Sequence, residues 1–331
     1  MKILYVDLLF DYGIKSRGLN NIGQLGFKAS FERLGHEVKT FYYDDYLQRK
    51  DELQVELLRI ADDVKPDLVF FCLFQTQFAV ETLQALTAKF KTVNWFGDDQ
   101  WRFDGFTKHY ARCFSWCVTT DKFSVARYKE LGQNNVICSQ WAAIDEAPVL
   151  LDKSAPVYEY DVSFVGGYHP YRAWFLSQLS KSGLRVAVFG NGWPLGPLSH
   201  EEMIALFKKT KINLNISNST SFDLRYLLTS LRAFISAIRS PKASSQVKAR
   251  NFEIPYYHGF QLTDYVPNIE SYFSIGAEIV CYSSAAEAVD WIRYYLENDE
   301  EREIIRMRGV EKAQACHAYS NRVKEVLKAV V

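Results

Sequence analysis

The sequence predicts an α/β protein of two domains, each built on a parallel sheet with helices on both faces. Three observations lead there. The chain has 331 residues, about two domains at roughly 150 residues each. Short apolar runs alternate with helix-length stretches between residues 2 and 96, and again between 161 and 282, which is the rhythm of βαβ units. The rhythm breaks at Ala147-Pro148 and at Ser154-Ala-Pro156, where a linker is expected. The expected division is 1–148, then 155–310, then a C-terminal helix over 311–331 that is free to pack back on the first domain.

Each element follows from its pattern. Lys2 to Val6 reads as a buried strand. Asn21 to Leu34 reads as a helix stopped at Gly35, and Glu37 to Tyr43 alternates like a second strand. Gln48 to Val64 is helical and stops before Pro66. Asp67 to Leu73 and Thr92 to Phe96 are continuous apolar strands. In the second half the strands are Asp161 to Val165, Leu184 to Phe189, Lys211 to Ile216, Gly259 to Thr263 and Glu278 to Tyr282. Each ends in small or polar residues, and that carboxyl edge is where open parallel sheets bind ligands. Ala285 to Val331 reads as two or three helices. The architecture expected is two Rossmann-like domains facing each other across a cleft.

Composition narrows the function. Lys+Arg and Asp+Glu are both 39, so no global basic excess points to nucleic acid. The longest apolar run, Leu68 to Phe74, is far too short to span a bilayer. Asp7 interrupts the N-terminal apolar stretch that a signal peptide needs. A cytoplasmic protein is expected, with the inner face of the membrane as an alternative site. The six cysteines are scattered and are read as buried, reduced thiols. Cys113 and Cys117 are one turn apart, but no second pair completes a zinc set, and no metal site is expected.

The most informative segment runs from Gln246 to Asp264. A short helix carrying Lys248, Arg250 and Glu253 leads into His258-Gly259 and then a strand. Cations beside a helix N-terminus suit a diphosphate, and a carboxylate one turn on can accept from a ribose diol. An ordinary charged surface helix has the same pattern. Arg250-Asn-Phe-Glu-Ile-Pro255, His258-Gly-Phe-Gln-Leu-Thr-Asp264 and Gly276-Ala-Glu-Ile-Val-Cys-Tyr282 resemble the CgeB-like glycosyltransferases of the GT-B superfamily. Trp291 to Leu296, His317 to Arg322, Tyr160 to Gly167 and Phe96-Gly-Asp-Asp99 fit the same resemblance, which covers nearly the whole chain. It implies transfer of a sugar from a nucleotide-sugar donor to a glycan or protein acceptor. It also implies a donor-binding second domain, an acceptor-binding first domain and no tightly bound cofactor. Glu253 would then be the ribose-binding carboxylate. Many related retaining enzymes carry a second Glu eight positions earlier; Ser245 stands there, which leaves the stereochemistry open.

Further donor-site candidates lie along the same edge. Gly166 and Gly167 let backbone approach a phosphate, with Arg172 one turn on. Gly190 could shape the base pocket, and Ser217 and Ser219 could donate to phosphate oxygens. Each, taken alone, reads more readily as a turn residue than as a ligand. In the first domain, the loop from Gly13 to Gly26 carries Arg17, Asn20 and Asn21, a lid or acceptor loop unless it is simply solvated. Asp98 and Asp99 follow a strand and precede Trp101. They suit proton abstraction from an acceptor hydroxyl beside a stacking aromatic, or a helix N-cap. His109 and His169 are alternatives.

Phe222 to Arg239 departs from the family pattern and reads as an inserted amphipathic helix. Between Leu224 and Phe252 stand six cations and no acid. Arg225, Arg232 and Arg239 recur every seven positions, opposite an apolar side. Membrane contact, a homodimer contact and ordinary packing all fit such a helix. The leading expectation is a metal-independent, cytoplasmic glycosyltransferase that builds a bacterial surface glycan or decorates a protein. A sugar-nucleotide epimerase on the same fold and a non-catalytic sugar-nucleotide-binding protein are the rivals.

Overall fold

The computed structural model describes residues 1–145, 157–217, 223–229, 231–240, 242 and 245–330. The expected linker bounds at 148 and 155, together with Ser219 and Phe222, lie outside the described residues. The chain divides into two compact units, one of Met1–Asp145 with Tyr319–Val331 and one of Glu146–Ala318.

The first unit holds β1 (Lys2–Asp7), β2 (Glu37–Tyr42), β3 (Leu68–Phe71), β4 (Thr92–Phe96), β5 (Trp116–Thr119) and β6 (Val136–Cys138), all parallel, in the order β2-β1-β3-β4-β5-β6. Its helices are α1 (Ala29–Arg33), α2 (Lys50–Val64), α3 (Val80–Lys89), α4 (Asp99–Arg102), α5 (Lys108–Tyr110) and α6 (Ser124–Glu130). Successive side chains of a strand point to opposite faces. Leu4, Val6, Val69 and Phe71 therefore pack with Leu53 and Leu57 of α2 and with Leu83 and Leu86 of α3. Ile3, Tyr5, Leu68 and Phe70 pack on the other face. That face is closed by Phe31 of α1 and by α14 (Tyr319–Val330), whose Tyr319, Val323, Val326 and Val330 are buried.

The second unit holds β7 (Tyr160–Val165), β8 (Ala187–Phe189), β9 (Thr210–Asn215), β10 (Gln261–Asp264) and β11 (Val280–Tyr282), parallel in the order β11-β10-β9-β7-β8. Its helices are α7 (Pro170–Lys181), α8 (His200–Lys208), α9 (Leu224–Leu227), α10 (Leu231–Arg239), α11 (Ala249–Tyr256), α12 (Ala285–Glu297) and α13 (Asp299–Cys316). Counted from its own first strand, the sheet has the order 2-1-3-4-5. The direction of winding therefore reverses between β7 and β9, and ligands bind beyond the strand ends at such a point.

Several expectations need correction. The helix over 21–34 is π-helical from Ile22 to Lys28 and α-helical only from Ala29. Of the strand over 184–189, only Ala187–Phe189 pairs. Residues 311–316 complete α13 of the second unit, so the returning helix starts at Tyr319, not at 311. The segment over 222–239 is two helices, interrupted after Leu227. The cysteines are free thiols, but Cys138 and Cys316 are exposed, not buried. Among the described residues no helix is long and apolar enough to cross a membrane.

Candidate functional site

At the carboxyl ends of β7, β9 and β10 lies a cavity of about 160 Å³. Its walls include Gly166, Asn215, Ser217, Lys248, Asn251 and Asp264. Arg172 of α7 and Arg250 of α11 also line it, so three cations face it against one carboxylate. The N-terminal turn of α11 forms one wall, and helix N-termini attract anions.

Local structure fixes each group. Arg172 donates from Nε and Nη2 to the Ile216 carbonyl at 2.9 and 2.7 Å, and from Nη1 to the Gly167 carbonyl at 2.9 Å. This ties the ends of β7 and β9 together. Burial, opposed by the charge of Asp264, lowers its pKa to about 10, so it stays cationic at neutral pH. Asn215 and Asn251 both donate to the Thr263 hydroxyl, at 3.2 and 3.1 Å, which joins β9, α11 and β10. The Ser217 backbone N–H donates to Asp264 Oδ1 at 3.2 Å. Burial raises the Asp264 pKa to about 7, against the opposing pull of the Ser217 bond and the Arg172 charge. A carboxyl poised near neutrality inside a cationic cavity makes this strand edge the candidate site.

Of the donor-site residues expected from sequence, Gly166, Arg172, Ser217, Lys248 and Arg250 meet at this cavity. Gly167, Gly190, Glu253, His258 and Gly259 do not line it, and Ser219 is outside the described residues. Gly190 has φ +135°, and a Cβ there would stand 2.2 Å from the Gly166 carbonyl oxygen, so it shapes the wall from behind. Glu253 pairs with Arg250 at 2.9 Å, one turn along α11, and orients that cation. His258 takes a left-handed φ of +69° as the chain leaves α11, and its Nε2 lies 3.2 Å from the Gln314 amide of α13. Gly259 is a packing position: a Cβ would lie 2.8 Å from Ile254 Cγ2 and from Asn213 Nδ2. His169 caps α7, its Nδ1 accepting from the Tyr171 N–H at 3.3 Å.

The first-unit candidates are largely held by their neighbours. Arg17 pairs with Asp11 at 2.7 Å and stacks on Tyr12 at 4.6 Å. Asn20 donates to Asp7 at 3.1 Å and to the Leu8 carbonyl at 3.3 Å, so it braces the end of β1. Asn21 is exposed. Trp101 lies on α4 with the Arg102 guanidinium 5.7 Å from its ring. Asp99 is a correction. It is buried, and its carboxylate accepts from Thr107, Thr119 and Tyr128 hydroxyls at 2.6, 2.5 and 2.7 Å. Those bonds occupy both oxygens and leave it a core carboxylate, not a base facing substrate. Asp98, half-buried, occupies the cap position of α4 without a capping side-chain bond.

Sequence reading did not single out Asp264, which lines the cavity, or Asp7, a buried carboxylate of the first unit that does not. Both stand at the carboxyl end of a strand, and burial raises both to about 7. Asp7 is further held by the Tyr5 hydroxyl at 2.6 Å and the Leu8 N–H at 2.7 Å. The available signal was position alone: a single acid closing an apolar strand. Among the described residues no group of three or more His, Cys, Asp or Glu is placed to hold a metal ion.

Two parallel-sheet α/β units of this kind define the GT-B glycosyltransferase fold. HepE of Anabaena in complex with UDP matches with TM-score 0.61 and 10% identity over 99% of each chain. A glycosyltransferase from Rickettsia africae matches with TM-score 0.65 and 9% identity over 99% of this chain and 97% of that one. The UDP-GlcNAc 2-epimerase of Neisseria meningitidis bound to UDP-GlcNAc matches with TM-score 0.56 and 11% identity over 99% and 98%. At these identities the likeness is one of fold. In sequence, residues 172–328 match the family described as glycosyl transferase-like. No curated protein matches the chain.

Proposed function

We propose that the protein is a metal-independent glycosyltransferase that moves a hexosyl group from a nucleotide-diphosphate sugar to a hydroxyl of a glycan or protein acceptor, in the manner of the CgeB-like branch. The observation that carries this reading is the cationic cavity at the winding reversal of the second sheet. Arg172, Lys248, Arg250 and the N-terminal turn of α11 surround a space suited to a diphosphate. In a transfer reaction the diphosphate leaves with growing negative charge, and fixed cations aimed at it lower the barrier. The family match over residues 172–328 takes in Arg172, Lys248, Arg250 and Asp264 of this site, with Gly166 lying outside it. The likeness to an epimerase bound to UDP-GlcNAc keeps a second reading alive, in which the same cavity holds a donor whose sugar is isomerised.

The test is titration of nucleotide diphosphates and nucleotide sugars, followed by product analysis in excess EDTA. Arg172→Ala, Lys248→Ala and Arg250→Ala should each weaken a nucleoside diphosphate by about 1.5–3 kcal/mol and the free nucleoside far less. Sugar transfer that survives EDTA supports the proposal, as does donor hydrolysis without acceptor. Interconversion of the donor's stereochemistry instead establishes the epimerase reading. Unchanged diphosphate affinity in all three variants removes the cavity from the site.

A further inference from the structure

The segment α9–α10 is built inside out. On α10, Ala233 and Ala237, one turn apart, are the buried positions among the described side chains. The large apolar residues Leu231, Phe234, Ile235 and Ile238 share the opposite face at i, i+3, i+4 and i+7 and are 74, 47, 40 and 66% exposed. On α9 the same inversion recurs: Tyr226 is buried against the rings of Tyr171 and Trp174, at 5.3 and 5.7 Å, while Leu224 and Leu228 are 72 and 84% exposed. A soluble helix normally turns its small and polar residues outward. A contiguous apolar face of this size, offered to water by two neighbouring helices, marks a surface that is covered in use.

The charge around it selects the cover. No acid occurs between Leu224 and Phe252, whereas Arg225, Arg232, Arg239 and Lys242 are interspersed with or follow the apolar residues. Arg239 is exposed at the end of α10. Arg225 is exposed too, with Asp223 as its ion-pair partner at 2.8 Å. In a two-fold contact between copies, each patch meets itself, and a patch whose cations outnumber its one acid, Asp223, then sets cations against cations. An anionic bilayer reverses that sign: apolar side chains enter the acyl boundary and flanking cations meet the headgroups.

We propose that the outer face of α9–α10 lies on an anionic lipid surface and holds the second unit at a membrane. The apolar face rests in the interface, since no described helix is long and apolar enough to cross. This proposal stands apart from the donor-site reading, because none of these residues lines the cavity.

The experiment is flotation of the full chain with vesicles of phosphatidylcholine alone and of phosphatidylcholine with phosphatidylglycerol, with light scattering of the free protein. The native chain should float with the anionic vesicles only. The double variant Phe234→Ser/Ile238→Ser should lose about a hundredfold or more in partitioning. Arg239→Glu, which leaves the apolar face intact, should lose roughly tenfold. Nucleotide-diphosphate affinity, read in the same variants, should be unchanged and shows that the second unit is folded. If the native chain ignores anionic vesicles, the proposal falls. It falls equally if both vesicle types bind alike, or if the free protein is a dimer that the double variant disrupts while vesicle binding is absent.

Discussion

At the level of single residues, Asp264 governs how the cavity responds to pH. Its proton leaves near pH 7 because burial opposes the charged form. Below that value the cavity holds three cations and a neutral carboxyl; above it, a negative charge would face any anion bound there. A nucleotide-diphosphate sugar keeps a constant charge over this range, so its affinity should fall between pH 6 and 8, by about 1–2 kcal/mol for one charge at such a site. Isothermal titration at the two pH values should show the fall in the native chain and a flat response in Asp264→Asn. The adjacent acids of the first unit should separate by assay. Asp99→Ala leaves three buried hydroxyls without their acceptor and should destabilise on the order of 3 kcal/mol, seen in thermal unfolding. Asp98→Asn, which keeps a residue that favours helix caps, should slow transfer by about 10²–10⁴-fold if Asp98 is the base in a single displacement. Sequence made Arg172, Lys248 and Arg250 legible because cations near a helix start are a local pattern. It could not separate Asp98 from Asp99, since the difference lies in hydroxyls up to 29 positions away.

At the level of elements, the cavity depends on how closely α11 approaches the sheet. Gly259 permits that approach, with the Ile254 carbonyl oxygen 2.9 Å from where a Cβ would be. Gly259→Ala should push α11 off β9, cost about 1–3 kcal/mol by overpacking, and weaken diphosphate binding by displacing Lys248 and Arg250. A variant that is less stable but binds normally would separate the two effects and show that α11 holds its place. Strands β1, β3 and β4 were legible because each lies in a continuous apolar run buried on both faces. Strands β5 and β6 were not assigned from sequence: Ser115, Thr119 and Thr120 bound the first and Gln133 to Asn135 precede the second, so neither stands in such a run. The break between α9 and α10 was also hidden, because an amphipathic pattern continues across it in phase.

At the level of the whole molecule, the two sheets share one winding order through their first five strands, and the alternation of apolar runs was enough to reveal it. The exact route of the tail was not, since helical periodicity does not say which unit a helix covers. Tyr319 seals the first sheet on the side of Phe27 and Trp95, with its ring 4.9 Å from that of Phe27. A Cβ on Gly26 would lie 2.9 Å from that same ring, so the fit leaves no slack. Tyr319→Ala should therefore cost about 3–5 kcal/mol. Calorimetry should show the loss in a transition that nucleotide does not raise, while diphosphate affinity at 25 °C is kept.

That returning helix also sets a timetable. The strands of the first unit leave the ribosome early, yet the helix that closes one of their faces is encoded after all of residues 146–318. At about 5–20 residues per second, that interval lasts roughly ten to thirty-five seconds. Throughout it, the nascent first sheet presents Phe27, Phe31, Phe70 and Trp95 without their cover. The second unit is encoded as one uninterrupted stretch and waits for no later segment. The unit begun first is thus closed last, and its open face is what must be shielded while the rest of the chain is made.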